Sequence, residues 1–130
     1  MRSVIVTGAS RGLGLAIAAA LAAGGDQVIG IARSHSDGFR AAAAAAAPGA
    51  MAFQAFDLND TRAIGALVGG LRKQFGAIYG LVNNAGIGTA GVLANMRDEQ
   101  IEALVRLNTV APMVLSRYVL RSMMLERAGR

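Results

Sequence analysis

A chain of 130 residues with 54% hydrophobic and 16% charged residues suits one domain, or part of one, built of helices around buried strands, and excludes a disordered or coiled-coil protein. It has no cysteine, which excludes disulfides, thiolate metal sites and cysteine nucleophiles and fits a reducing, cytoplasmic compartment. The net charge of +5 is scattered from Arg2 to Arg130 with no block of like charge, and aromatics are only 5%, so a nucleic-acid partner is not expected.

In chain order, Val4-Ile5-Val6 is a short continuous apolar run, as in a strand covered by helices on both faces. Gly8, Gly12 and Gly14 then punctuate a tight turn into a helix, whose first backbone N–H groups and dipole make a seat for a pyrophosphate. Leu13, Ala16, Ile17, Ala20 and Leu21 predict the buried stripe of that helix, and Gly24-Gly25 its end. Gln27–Ala32 reads as a second strand running into the polar loop 33–38, at the strand end where a doubly wound sheet binds ligands. The seven alanines 41–47 predict a plain helix closed by Pro48-Gly49.

Residues 51–56 predict a third strand, followed by the turn Asp57-Leu58-Asn59-Asp60. Asp60 is expected to cap a helix over 61–74, with Ile64, Leu67, Val68 and Leu71 buried. Residues 78–82 predict a fourth strand opening into Asn83-Asn84-Ala85-Gly86 and a glycine-rich loop. The last helical region starts near Asp98, with Asn108 and Pro112 as interruptions. From Val110 to Leu125 it is apolar nearly all round, which predicts burial on two sides, one against another subunit. No uninterrupted apolar run reaches the roughly 18 residues that cross a bilayer.

Rival readings of the glycine turn are weak. A P-loop needs Gly-Lys-Ser/Thr where Leu13 and Gly14 stand. Gly8-Ala9-Ser10-Arg11-Gly12 fits a hydrolase nucleophile elbow, but the only histidine, His35, falls in the next βα unit after a single Asp26. A secretory signal built on Leu13–Ala23 would begin inside the turn.

The alternation of strand and helix indicates an α/β fold with a largely parallel sheet. Thr7-Gly8-Ala9-Ser10-Arg11-Gly12-Leu13-Gly14, Asp57-Leu58, Asn83-Asn84-Ala85-Gly86 and Asn108 together resemble the short-chain dehydrogenase/reductase family, with ketoacyl-carrier-protein reductases and related carbonyl reductases nearest in look. The resemblance implies a Rossmann-type doubly wound parallel sheet, here four strands in the order 3-2-1-4, as a dinucleotide-binding domain over 1–130. It implies a nicotinamide dinucleotide with its pyrophosphate near Gly8, Ser10, Gly12, Leu13 and Gly14. Asp57 and Leu58 would meet the adenine, Asn83, Ala85 and Gly86 the nicotinamide-side ribose, and Asn108 would hold a relay water. The implied substrate is a small carbonyl or alcohol, with no metal, no membrane and a homo-oligomeric assembly.

Where an NAD site usually has an acid, about 20 residues past the glycine turn, this chain has Ala32-Arg33-Ser34. Arg33, with Arg11, offers two guanidinium groups to a 2′-phosphate, so NADP(H) is the expected cofactor. The family's Ser and Tyr-x-x-x-Lys are missing: Tyr79 is followed four residues on by Asn83 and Tyr118 by Ser122, and the only lysine, Lys73, precedes both. The expectation is therefore the cofactor-binding first half of an NADP(H)-dependent oxidoreductase, inactive alone. The alternative is a dinucleotide-binding or interaction module that never catalyses.

Overall fold

A computed structural model describes residues 1–130. Four strands, β1 (Ser3–Thr7), β2 (Gln27–Ala32), β3 (Met51–Ala55) and β4 (Ile78–Val82), form one parallel sheet in the order β3-β2-β1-β4. Helices α1 (Gly12–Ala23), α2 (Asp37–Ala45), α3 (Ile64–Phe75), α4 (Asp98–Val105) and α5 (Ala111–Glu126) connect and follow the strands. The doubly wound α/β sheet and its order agree with the sequence reading.

Period-two alternation along β1 splits the core in two. Ile5 joins Ile29, Ile31, Ile64, Leu71 and Leu115 on the face covered by α3 and α5. Val4 and Val6 join Val28, Phe39, Ala18 and Ala22 on the face covered by α1 and α2. All five β1 residues are buried, as expected of a central parallel strand. The sheet thus has a fully covered middle, and every connecting loop on the carboxyl side opens at one rim.

At the opposite rim Arg2 donates from Nε to Asp26 Oδ1 at 2.9 Å and lies over the Tyr79 ring, 4.6 Å from its centroid. The hydrogen bond to Asp26, then its charge, holds the Arg2 guanidinium above its ordinary value. This cluster pins β1, β2 and β4 together at the end remote from the ligand loops.

Several local expectations are corrected. In α1 the buried residues are Gly14, Ala18 and Ala22, while Leu13 is 70% exposed. A helix of Ala, Leu, Ile and Gly carries almost no phase, so the close approach to the sheet selects the smallest side chains. The alanine helix begins earlier, at Asp37, because Ser36 caps it by accepting from Phe39 N at 3.0 Å. Asp60 makes no side-chain cap, and a short 3₁₀ turn, Thr61–Ala63, leads into α3 instead. Neither Asn108 nor Pro112 breaks the last helical region. Residues 106–110 form a π turn that runs on into α5, and Pro112 is accommodated in the first turn of α5. On the outer edge of β4, Arg130 N donates to Tyr79 O and Leu81 N to Arg130 O, the two bonds of a parallel bridge opposite Gly80. Tyr118 of α5 is half-buried, and its ring reaches Gly65 of α3.

Candidate functional site

The site is built on the turn between β1 and α1. Gly8 and Gly12 have φ of 65° and 57°, the left-handed region that L side chains avoid. A Cβ at Gly12 would meet nothing within 4 Å, so the outer side of the turn is open. Gly14 is the reverse case: a Cβ there would lie 2.1 Å from Gly8 O and 2.4 Å from Asn84 Nδ2. Its role is to let the helix start fold back onto its own turn. Arg11 stands at the N-cap with no side-chain cap bond, and no acid lies in the first turn. The first N–H groups of α1 are therefore unpaired within the helix and face an uncompensated positive dipole end.

Thr7 and Asn84 tie this turn to the loop after β4. The Thr7 hydroxyl accepts from Asn84 N at 3.0 Å and from Ala85 N at 2.9 Å. Asn84 Nδ2 in turn donates to Thr7 O and Gly8 O at 3.2 and 3.3 Å. Neither residue is among the expected ligand contacts, although both lie inside the motifs at residues 7–14 and 83–86. The signal was their polarity at buried strand ends, where an unpaired group is costly.

Arg33 and Ser34 leave the end of β2 beside the turn and are exposed. Arg11 and Arg33 enter no ion pair; the three in the molecule use Arg2, Arg40 and Arg97. After β3, Asp57 Oδ1 accepts from Asn59 N and Nδ2 at 3.0 and 3.1 Å. Its turn role is thus real, and its other oxygen remains free to accept. Leu58 is 7% exposed and belongs to the core, so only its backbone can face a ligand.

After β4, Asn83 Nδ2 donates to Ser116 Oγ of α5 at 3.1 Å. Ala85 and Gly86 follow, and a Cβ at Gly86 would lie 3.1 Å from Asn108 Oδ1. Asn108 brackets the next residue: Ile87 N donates to its Oδ1 at 2.8 Å and its Nδ2 donates to Ile87 O at 2.7 Å. Both ends of that amide are engaged, and Pro112 has no N–H to give to the Asn108 main-chain carbonyl four residues back. All the sequence-selected residues thus sit on the loops and helix ends at the carboxyl rim of the sheet.

The donor set fits a dinucleotide phosphate. Unpaired backbone N–H groups, a turn with an open outer side and two guanidinium groups without partners complement an anion, and there is no carboxylate on the turn to repel it.

Comparison with known proteins agrees with this geometry. A family model described as short chain dehydrogenase matches residues 2–130. The ketoacyl reductase HetN of Nostoc sp. (strain PCC 7120) is 39% identical over 130 residues, covering 99% of this chain and 45% of that protein. The 3-oxoacyl-acyl-carrier-protein reductase FabG of Escherichia coli (strain K12) is 38% identical over 126 residues, covering 97% of this chain and 51% of that protein. The chain spans about half the length of the curated relatives it matches. Among solved structures, a short-chain dehydrogenase from Streptomyces avermitilis superposes with a TM-score of 0.91 at 32% identity, over 98% of this chain and 46% of that one. A metagenomic short-chain oxidoreductase in complex with NADP does so with 0.90 at 37% identity, over 98% and 59%.

Proposed function

Because the chain belongs to the short-chain dehydrogenase family, we propose that it is an NADP(H)-binding domain serving hydride transfer between the nicotinamide and a carbonyl or alcohol. The observation that carries the cofactor choice is the pair Arg11 and Arg33, exposed and free of ion pairs, at the rim where an acid would be needed to hold an unphosphorylated ribose. A solved relative in complex with NADP supports the same choice.

A nicotinamide held at this rim would supply or accept the hydride. The chain's own residues bind and orient. N–H groups at Gly12, Leu13 and Gly14 would receive the pyrophosphate, with Gly8 and Ser10 shaping the turn. Asp57 would accept from the adenine amino group, with the Leu58 backbone beside it. Asn83, Ala85 and Gly86 would line the nicotinamide ribose. Asn108 fixes the Ile87 peptide with its side chain, so a relay water there would be held by its main-chain carbonyl. Ketoacyl compounds are the first substrates to try, since HetN and FabG are named for them. No helix is long and apolar enough to cross a membrane, in keeping with a cytoplasmic enzyme, and the exposed Met113, Leu120 and Met124 of α5 suit a homo-oligomer.

A second reading, binding without chemistry by these residues alone, is favoured by where the two tyrosines lie. Tyr79 is under Arg2 at the far rim and Tyr118 packs on Gly65, so neither can deliver a proton to a carbonyl at the rim. Titration with NADP⁺ and NAD⁺, with Arg33→Ala as the second arm, tests the cofactor; tighter NAD⁺ binding by the unaltered chain would overturn it. Following NADPH absorbance with a panel of ketones tests the chemistry, and sustained turnover abolished by Asn108→Ala would overturn the second reading.

A further inference from the structure

The loop that carries Arg33 and Ser34 is fastened to the glycine turn at both of its ends. At its start, Gly8 N and Ala9 N donate to Ile31 O at 2.8 and 3.4 Å. At its finish, the Ser36 hydroxyl donates to Ser10 O while accepting from Phe39 N at 3.0 Å. Both functions of that one hydroxyl are therefore in use, one as the N-cap of α2 and the other as a tie to the phosphate turn. Close packing supports the tie: a Cβ at Gly38 would lie 3.0 Å from Leu15 Cδ2 of α1. Between the two fastenings the loop also leans on β3, with the His35 ring 4.3 Å from that of Phe53.

We propose that Ser36 is a positioning residue for cofactor selection, its hydroxyl locking the Arg33 loop to the glycine turn so that the two guanidinium groups are set for a 2′-phosphate. The inference rests on the NADP(H) reading above. A trans peptide points its N–H opposite to its carbonyl, so holding Ser10 O toward Ser36 also sets the direction of the Arg11 N–H and hence the origin of the Arg11 side chain. Arg33 hangs from the other side of the same tie. A loop ordered in advance spends none of the binding energy on being ordered by the ligand. Loss of the tie transfers that cost to any ligand that must engage Arg33. NAD(H), which has no 2′-phosphate, does not incur it. Selectivity, rather than affinity alone, is what Ser36 should control.

The test is titration of NADP⁺ and NAD⁺ into the unaltered chain, Ser36→Gly and Ser36→Thr, with a thermal melt of each. Glycine is nearly as good an N-cap as serine, and threonine keeps both bonds. Ser36→Gly is expected to weaken NADP⁺ about three- to tenfold, the scale of one net hydrogen bond, while NAD⁺ changes by less than about twofold and Ser36→Thr restores the preference. Ser36→Ala repeats the arm should the glycine variant fold poorly. An unchanged ratio of the two affinities, or equal weakening of both cofactors, would overturn the positioning role and leave only a helix cap. Lack of NADP⁺ preference in the unaltered chain would instead overturn the cofactor reading, and this inference with it.

Discussion

Replacing Gly14 by alanine tests the idea that the phosphate seat depends on a backbone folded against itself. The new Cβ would lie 2.1 Å from Gly8 O, a backbone atom held by its neighbours, and 2.4 Å from Asn84 Nδ2. Such overpacking costs about 1–3 kcal/mol. Displacing Asn84 forfeits its two bonds to Thr7 O and Gly8 O, about 1–3 kcal/mol together. Alanine's better helix propensity returns at most about 1 kcal/mol. The net expectation is a loss near 3 kcal/mol, or roughly 10 °C in Tm for a chain of this size, with cofactor affinity reduced as the turn opens. Gly69→Ala is the matched control. That glycine lies inside α3, exposed, with nothing within 4 Å of a new Cβ, so the same change should stabilise by about 0.5–1 kcal/mol. Thermal and urea melts of both variants decide the matter. A Gly14→Ala protein as stable as the unaltered chain, with cofactor binding intact, would refute the reasoning.

Thr7→Val keeps the shape of a 1% exposed side chain but strands the N–H of Ala85 and leaves that of Asn84 only its bond to Val82 O at 3.1 Å; a loss of about 1–3 kcal/mol in urea unfolding is expected, and Thr7→Ser should recover most of it. Asn108→Ala removes both bonds to the Ile87 backbone, so limited proteolysis should cut faster within residues 86–97, while the melt moves by only about 1–2 kcal/mol. Met113 and Met124 are 68% and 75% exposed on α5; changing both to lysine should lower any self-association seen by light scattering without a large change in Tm, because neither side chain is in the core.

The elements and their order were legible in the sequence because a parallel sheet covered on both faces leaves continuous apolar runs such as Val4-Ile5-Val6, ended by turn residues at Gly8, Asn59 and Asn83. The candidate site was legible for a related reason. Glycines needing positive φ and polar residues placed just after strands can only be there for turns or ligands, and Gly8, Gly12 and Asp57 declare themselves in that way. The phase of α1 was not legible, since a helix with apolar residues on every side does not say which face turns inward; the approach of Gly14 to Gly8 decided it. Nor could the sequence say that Asn84 and Thr7 join two loops 77 residues apart, that Arg130 pairs with β4, or that the Ser36 hydroxyl reaches Ser10. Those contacts depend on how strands stand beside one another, and pairing between distant segments leaves no mark in local composition or periodicity.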